Sequence, residues 1–341
     1  MRIGIDGRIL RDDFPGIGRF THNLIRALQP QLGGDTLVVL YDPTTRSRYD
    51  TQRLGDLPGI ELTPCELPLR SLSQQRRLPA LLRTLRLDVF HAPYYLTAYW
   101  GLPCPMVLTL YDVIPLLYPA SLPSIVDRLI YRLAVGQAVR AAARIIVCSQ
   151  TAQQDVARTL KQPAERMTVV PGAADPVFAP EGDVGVVRRV RELYSVPPRY
   201  FLHVGTNKPH KNLETLLEAY QRYYNTTPAE TRASLVLVGE EDPRYVSSRR
   251  RAAQWGLARS VLSLGNVPDE DLRALYTGAL AVGFPSLHEG FGLPLVEAMA
   301  CGAPVLASNA SALPEVAGGA ALLLEPRSPA AWADALRRTA G

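Results

Sequence analysis

Cysteine and histidine are scarce in this sequence of 341 residues, which holds four cysteines and five histidines. The cysteines are widely spaced and never form a C-x-x-C pair, which argues against a disulfide framework or a thiolate metal site and suits a reducing cytoplasm. The histidines are equally dispersed, and no zinc-binding spacing is present. We therefore expect a cytoplasmic protein without a structural metal.

Long apolar runs are also missing. No stretch approaches the ~20 apolar residues that a membrane span needs. The N-terminus MRIGIDGRIL indicates a first strand and not a signal peptide, because no long apolar core precedes a cleavage site. With 47% hydrophobic and 20% charged residues, the composition is that of an ordinary globular protein. The length favours two domains of about 150–200 residues each.

Positive charge is concentrated in the first half of the chain. Residues 1–170 carry 20 Lys and Arg against 14 Asp and Glu, a net charge of +6, whereas the remainder carries 17 against 18, a net charge of −1. Either the first half meets something anionic, or its surface simply prefers arginine. The counts leave both interpretations open.

Short β-branched or apolar runs alternate with helical patterns along the whole chain. The expected strands are 2–6, 36–41, 88–92, 106–112, 144–149, 167–171, 200–205, 234–239, 261–266, 280–286, 303–309 and 320–326. The helical patterns include 20–29, 125–143, 213–224, 271–279 and 295–302. Such alternation predicts parallel sheets covered by helices on both faces. A bridge rich in Pro, Gly and Ala at 171–183 predicts two doubly wound domains, 1–174 and 175–341, with ligands in a crevice at the carboxyl ends of the strands.

The stretch HEGFGLPLVEAMACGAPVLASN (288–309) carries the clearest chemical signal. Glu289 and Glu297 stand eight residues apart, with two glycines between them, and Pro294 suits the first position of a helix. The preceding amides, 291–293, would be unpaired donors at the positive end of the helix dipole and would favour a phosphate.

Carboxylates on both sides of a phosphate site can accept hydrogen bonds from the hydroxyls of a polyol. The pattern therefore predicts a nucleotide sugar as ligand. A helix with acidic residues in its first turn is the simpler alternative, but it explains Glu297 alone and not Glu289 or the glycines.

The segment FPSLHEGFGLPLVEAMACGAPVLASN closely resembles the signature of the retaining glycosyltransferases of family 4. The resemblance implies the α/β fold called GT-B, in which two Rossmann-like domains with parallel sheets face each other across a cleft. It also implies that Glu289 contacts hydroxyls of the donor sugar and that Glu297 holds the ribose. The diphosphate would be held by the residues between them, Gly290, Phe291, Gly292 and Leu293.

The resemblance extends to HVGTNKPHKNLETLLEAY (203–220), where Lys211 occupies the position of a family lysine that pairs with the diphosphate. Many members carry an arginine at the strand end, where this chain has Thr206. In GNVPDEDLRALY, Val267 would contribute backbone contacts to the base. A Lys–Asn loop before a helix is often only a solvated cap, but together with the glutamates it predicts that Lys211 and Glu289 act in catalysis.

In the first half, FPGIGRFTHNLIRAL (14–28) matches the family's N-terminal glycine loop, so Gly16 and Gly18 would bring amides to the diphosphate. A dinucleotide fingerprint is excluded, because no third glycine follows and the pattern begins about ten residues after the first strand. Asp112, in LTLYDVIPLLYP, is either a catalytic residue near the sugar or a strand-end cap. His91, at another strand end, fits a structural histidine better.

Two further segments have competing interpretations. Residues 269–271 (DED) fit the D-x-D pattern with which another class of glycosyltransferases holds a metal, but their place after Pro268 favours an acidic helix start, so no metal is expected. Residues 70–86 form either an amphipathic helix covering the first sheet or a basic face that touches anionic lipid headgroups. The arginines of that segment are Arg70, Arg76, Arg77, Arg83 and Arg86.

These features predict a retaining, metal-independent hexosyltransferase that needs no cofactor and binds no nucleic acid. Its donor would be GDP-mannose, favoured by resemblance, or a UDP-sugar, and its acceptor a glycan or a lipid-linked glycan, with contact at the inner membrane face through 70–86. A nucleotide-sugar epimerase, a sugar phosphorylase and a non-catalytic nucleotide-sugar-binding protein are alternatives on the same fold. Family members usually continue past the position of Gly341 through helices that return to the first domain, so a return helix is not expected here.

Overall fold

The computed structural model describes residues 1–45, 47–49 and 51–341. They form two compact units, Met1–Gly172 and Ala173–Gly341. Each unit contains its own parallel sheet and its own clusters of buried apolar side chains. Both units therefore have the layered α/β architecture that the alternation of strands and helices predicts.

The first unit is a doubly wound parallel sheet. Its strands are β1 (Arg2–Asp6), β2 (Thr36–Tyr41), β3 (Ile60–Pro64), β4 (Val89–Ala92), β5 (Met106–Thr109), β6 (Arg144–Val147) and β7 (Met167–Val169). Its α-helices are α1 (Pro15–Leu28), α2 (Thr51–Gly55), α3 (Gln74–Leu85), α4 (Ile114–Leu117), α5 (Ile125–Ala141) and α6 (Gln150–Leu160). The strand order is β3-β2-β1-β4-β5-β6-β7, and every pairing described is parallel.

The second unit repeats this plan. Its strands are β8 (Tyr200–Val204), β9 (Ser234–Val238), β10 (Val261–Ser263), β11 (Ala281–Phe284), β12 (Val305–Ser308) and β13 (Leu322–Leu324). Its α-helices are α7 (Val184–Leu193), α8 (Leu213–Thr226), α9 (Ser248–Gln254), α10 (Asp269–Thr277), α11 (Leu293–Ala300), α12 (Leu313–Ala317) and α13 (Pro329–Ala340). The strand order is β10-β9-β8-β11-β12-β13, so the winding reverses between β8 and β11, and ligands bind at such switch points.

Helices cover both faces of the first sheet. Strand side chains alternate between the two faces, so β2 sends Val38 and Leu40 into one apolar cluster and Leu37 and Val39 into the other. The first of these clusters is completed by α3, α5 and α6, and the second by α1 and α2. No helix in the described part of the chain combines the length and the apolar character needed to cross a bilayer.

All the strands expected from the sequence are present, and most of them are shorter than the expected ranges. One strand that we did not predict, β3 (Ile60–Pro64), lies at the edge of the first sheet, where only Ile60 is buried and the alternation is therefore weak. The loop expected at Gly16 and Gly18 is helical instead, whereas the helix expected at 20–29 is present. Helix α1 already begins at Pro15, a residue favoured at a helix start, and it includes both Gly16 and Gly18.

Candidate functional site

The switch point of the second sheet brings two distant loops together. Strands β8 and β11 are direct neighbours, so the loops that follow them start side by side at the carboxyl edge of the sheet. The first loop leads through a 3₁₀ turn, Pro209–Lys211, into α8, and the second leads into α11. Lys211 lies at the end of the first loop and Glu289 in the second. The Nζ atom of Lys211 donates hydrogen bonds to Oε1 and Oε2 of Glu289, at 2.7 and 2.9 Å.

Two serines fix Glu289 in this position. The Ser286 hydroxyl donates to Glu289 Oε1 at 2.6 Å. The Ser311 hydroxyl accepts a hydrogen bond from the Glu289 amide at 2.9 Å and donates to the Glu289 carbonyl at 2.6 Å. Both the side chain and the main chain of Glu289 are therefore held. Neither serine was predicted from the sequence; Ser286 stands directly in front of the LHEGFG loop, and only this proximity could have indicated it.

Glu289 is charged although it is buried. Burial raises the pKa of its carboxyl, but the charge of Lys211 and the hydrogen bonds from Lys211 and Ser286 act in the opposite direction, and the net pKa is lowered. The Lys211 side chain is 21% exposed and the Glu289 side chain 11%. A carboxylate with a lowered pKa is a hydrogen-bond acceptor and a poor general acid at neutral pH.

Two neutral histidines lie close to the ion pair. The pKa of His203 and that of His210 are lowered to about 4, mainly by burial and in part by the charge of Lys211, while the charge of Glu289 acts in the opposite direction. The Nδ1 atom of His203 is 2.8 Å from the Gly283 carbonyl, which can only accept, so Nδ1 carries the proton. The other ring nitrogen, Nε2, is a buried acceptor without a hydrogen-bond partner among the described residues.

The N-terminus of α11 presents three main-chain donors. The amides of Phe291, Gly292 and Leu293 make no hydrogen bond within the described residues, whereas the amide of Leu295 bonds to the Gly292 carbonyl. Gly292 is the N-cap, with φ +99°, a conformation that favours glycine. The three amides are therefore available to bind an anion at the start of the helix.

The helix starts one residue earlier than we expected. Leu293 is its first residue, so Pro294 takes the second position and Glu297 lies in the second turn, not in the first. This correction follows from the left-handed Gly292, which ends the loop immediately before Leu293. Because the helix rises at about 1.5 Å per residue, the Glu297 carboxylate lies farther from the helix start than a first-turn residue would.

Glu297 is enclosed by the fold. It is 2% exposed, and Tyr276 of α10, itself fully buried, donates from its hydroxyl to Glu297 Oε2 at 3.3 Å. The resemblance assigns this carboxylate to the ribose, so a contact with a ribose requires Glu297 or its neighbours to shift. Tyr276 was not predicted, because nothing in the sequence links residues 21 positions apart on two helices.

The other predicted donor residues of the second unit lie in segments that follow strands of its sheet. Thr206 follows β8 in a partly exposed loop. Gly290 is buried between Glu289 and the start of α11. The side chain of Val267 belongs to the apolar core of the unit, which leaves only its main chain for contacts with a base.

The acidic triplet DED lies in the first turn of α10, so the helix-start interpretation of residues 269–271 is confirmed. Asp271 accepts a hydrogen bond from the Tyr194 hydroxyl at 2.7 Å, which engages one of the two carboxylates that a D-x-D metal site would need. Among the described residues, no group of three or more His, Cys, Asp or Glu side chains is placed to hold a metal ion.

The predicted residues of the first unit have mainly local partners. Asp112 Oδ1 accepts from the amide of Ile114 at 2.9 Å and so caps the start of α4. The Gly18 amide donates to the Phe14 carbonyl at 2.7 Å, while Gly16 has open space around its Cα. His91 is buried with Nε2 at 2.8 Å from Thr109 Oγ1, and burial lowers its pKa to about 4, as fits the expected structural role.

Two family models match the chain, one for each half. The model described as Glycosyltransferase Family 4 matches residues 15–178, and the model described as Glycosyl transferases group 1 matches residues 189–339. The second match contains both Lys211 and Glu289, and the first contains Asp112.

Two curated relatives are mannosyltransferases of Escherichia coli. O-antigen chain mannosyltransferase B is 29% identical over 330 residues, which cover 91% of this chain and 83% of that protein. The serotype-specific mannosyltransferase WbdA is 36% identical over 187 residues, which cover 53% of this chain and only 22% of WbdA.

Solved structures share the fold over the whole chain. The Anabaena protein Alr3699/HepE, crystallised with UDP and glucose, has a TM-score of 0.72 at 23% identity, covering 99% of this chain and 91% of its own. WaaG, a glycosyltransferase involved in lipopolysaccharide biosynthesis, has a TM-score of 0.69 at 16% identity, covering 100% of this chain and 90% of its own. Together the two models match residues 15–178 and 189–339, so the chain belongs to the group 1 glycosyltransferases of family 4, and it has the two-domain fold called GT-B.

Proposed function

We propose that this chain is a retaining, metal-independent hexosyltransferase that moves mannose from GDP-mannose to a hydroxyl of a glycan or lipid-linked acceptor. The observation that carries the proposal is the Lys211–Glu289 ion pair at the switch point, beside a helix start with three available amides. Mannose is favoured over the glucose of a UDP-sugar because the curated relatives above are mannosyltransferases. The family match favours transfer over the epimerase, phosphorylase and binding-only alternatives.

The amides at 291–293 and the Lys211 ammonium supply the positive charge that a diphosphate needs. When the bond between the anomeric carbon and the diphosphate breaks, the leaving group gathers negative charge, and fixed donors stabilise it more in the transition state than before. Lys211 exchanges one anionic partner for another when the diphosphate arrives. The same exchange frees the Glu289 oxygens to accept hydrogen bonds from the sugar hydroxyls. These groups are the reason for proposing a reaction without a metal.

In this proposal the anomeric configuration is retained because the acceptor oxygen attacks the anomeric carbon on the same face from which the diphosphate leaves. The acceptor oxygen forms the new bond to the anomeric carbon as the bond to the phosphate oxygen breaks, and the acceptor proton passes to that phosphate oxygen. Glu289 positions the donor and stays charged throughout, as its lowered pKa supports. No protein nucleophile takes part.

The other predicted residues complete the donor and acceptor sites. Glu297 binds the ribose, and Asp112 lies on the acceptor side of the reaction. Residues 70–86 make a peripheral contact with anionic lipid at the inner membrane face, which supports a lipid-linked acceptor. The remaining donor contacts are assigned to Gly16, Thr206, Val267, Gly290, Phe291, Gly292 and Leu293, and not to Gly18, whose amide donates to the Phe14 carbonyl.

A thermal-shift experiment in the presence of EDTA tests the donor and the metal independence together. GDP-mannose should raise the melting temperature of the wild type, because a ligand that binds only the folded state stabilises it by mass action. Glu289→Ala should abolish most of the shift, while Glu270→Ala, an exposed glutamate in the first turn of α10, should keep it. If no nucleotide sugar in a panel of GDP- and UDP-sugars shifts the wild type, the proposed function is wrong.

A further inference from the structure

The outer face of α5 is apolar and exposed. Its side chains stand at spacings of one, four, five and eight residues from Ile125, which places them on one side of the helix. The opposite side packs into the core through Tyr131, Val135 and Ala138. An exposed contiguous apolar face of this kind marks an interaction surface. The exposed fractions are 78% for Ile125, 62% for Val126, 57% for Leu129, 59% for Ile130 and 57% for Leu133.

The charges on α5 are positive and unneutralised. The side chains of Arg128, Arg132 and Arg140 form no ion pair or hydrogen bond with any described residue. The helix has one acidic residue, Asp127. Its carboxylate accepts a hydrogen bond from the hydroxyl of the N-cap residue Ser124 at 2.6 Å. Arg140 lies on the apolar side of the helix, about three turns after Leu129. The face therefore combines aliphatic side chains with cations that lack an anion.

The loop between β4 and β5 contacts both α3 and α5. In the loop between β4 and β5, Trp100 is 59% exposed. Arg83 of α3 donates to the Gly101 carbonyl of this loop at 2.9 Å, and Tyr95 of the same loop packs edge-on against Tyr131 of α5, with 5.1 Å between the ring centroids. Side chains of α3 and α5 pack into the same apolar cluster, so both helices cover the same face of the first sheet.

The solvent side of α3 adds further positive charge. Leu78 and Leu82 are buried in the core, while Arg76 and Arg77 are exposed, and Arg86 is exposed just after the end of the helix. The side chains of these three arginines also form no ion pair or hydrogen bond with a described residue. The first unit thus exposes arginines on α3, a tryptophan in the loop after β4 and the aliphatic face of α5.

We propose that the outer face of α5 docks on the surface of an anionic lipid bilayer. Aliphatic side chains enter the boundary between headgroups and acyl chains, arginines bind the lipid phosphates, and tryptophan is favoured at this depth. The excess of 20 basic over 14 acidic residues in 1–170 adds long-range attraction. The inference extends the lipid contact proposed for 70–86 and rests on that proposal only for the kind of partner.

Co-sedimentation of the full chain with vesicles tests the inference. The wild type should pellet with phosphatidylcholine–phosphatidylglycerol vesicles at low salt and much less with phosphatidylcholine alone. The triple variant Leu129→Gln, Ile130→Gln, Leu133→Gln should lose most of this binding, and Arg132→Gln with Arg140→Gln should lose the preference for anionic vesicles. All five side chains lie on the outer surface of α5, so both variants should fold as the wild type does.

The matched control is Val184→Gln with Leu193→Gln, which removes two aliphatic side chains that are 81% and 70% exposed on α7 of the second unit. This variant should pellet like the wild type. The thermal shift with GDP-mannose, measured on the same samples, separates a failure of docking from a failure of the proposed transfer. Wild type that stays in the supernatant, or a triple variant that pellets like the wild type, overturns the inference. A wild-type dimer in sedimentation velocity that the triple variant loses, without vesicle binding, assigns the face to a second copy of the chain.

Discussion

The Lys211 ammonium contacts both carboxylate oxygens of Glu289, although 78 residues separate the two along the chain. The contact exists because β8 and β11 are neighbours at the point where the winding of the sheet reverses. A buried ion pair of this kind costs desolvation energy for both partners, so it is weak evidence for a purely stabilising role. Its position beside the helix start of α11 favours a role in binding.

Removal of either partner should impair transfer, and the two losses should not be additive. Glu289→Gln leaves Lys211 without its counterion, and Lys211→Met leaves a buried carboxylate unpaired. Each single variant should also lower the free energy of unfolding, by less than the about 3–5 kcal/mol typical of fully buried pairs, because Lys211 is 21% exposed. The double variant should lose less activity than the product of the single effects.

The measurement is a double-mutant cycle on kcat/KM and on the free energy of unfolding. Glu270→Gln serves as the control for a surface carboxylate, and it should leave both quantities unchanged. Additive effects in the cycle would mean that the two side chains act independently, contrary to the observed contact.

Stability should fall as the pH is lowered from about 6.5 to about 4. His91, His203 and His210 have pKa values lowered to about 4 by burial, whereas an unfolded histidine titrates near 6.5, so the unfolded chain binds more protons in this window. Each buried histidine then removes about 1.4 kcal/mol per pH unit from the stability. Glu289, whose folded pKa is lowered, keeps its contribution above about 4.3 and loses it only as the pH falls through the folded value.

Denaturant titration at a series of pH values measures this slope. His203→Gln should give a shallower decline between pH 6.5 and 4 than the wild type. Equal slopes for the two proteins would mean that His203 is protonated in the folded chain, contrary to its burial and to its bond with Gly283.

Gly292→Ala should weaken donor binding and destabilise the second unit. The residue has φ +99°, and a Cβ there would lie 2.9 Å from Leu313 Cδ2, so the N-cap of α11 has to shift. We expect a loss of about 1–3 kcal/mol in stability and a raised KM for the donor. Gly256→Ala is the matched control, with φ +74° but open space around the site; it should share the backbone strain and keep the KM. An unchanged donor KM in Gly292→Ala would show that the start of α11 does not take part in donor binding.

Tyr276→Phe should raise the donor KM with little change in kcat. The variant removes the hydroxyl that donates to Glu297 at 3.3 Å and so leaves the buried carboxylate without this bond. Tyr220→Phe is the control, because the Tyr220 hydroxyl donates to the carbonyls of Ala233 and Ser260 in the core, so its loss should lower stability alone. Equal KM values for Tyr276→Phe and the wild type would show that Tyr276 does not position Glu297 for binding.

Local patterns predicted much of the fold because each buried parallel strand is a continuous apolar run. They failed at β3, where an edge strand with one buried side chain gives little hydrophobic signal. They also failed at α1, where a glycine-rich match suggested a loop and Pro15 instead begins a helix. At β3 the hydrophobic signal was weak, whereas at α1 the glycines outweighed the preference of Pro15 for a helix start.

The residues of the candidate site were predicted one by one, but their contacts were not. Resemblance singled out Lys211 and Glu289, and the ion pair between them depends on strand order, which no local pattern encodes. The burial of Glu297 under Tyr276 likewise depends on how α10 packs against α11. The sequence therefore indicated which groups occur at the site. Their hydrogen bonds depend on the tertiary structure and could not be predicted from the sequence.

A crystal structure with bound GDP or UDP tests the central claim most directly, since it locates the diphosphate. We expect phosphate oxygens within hydrogen-bond distance of the amides of Phe291, Gly292 and Leu293, with the Lys211 ammonium turned from Glu289 towards the phosphate. A nucleotide bound away from the start of α11, with the Lys211–Glu289 pair intact, would contradict it.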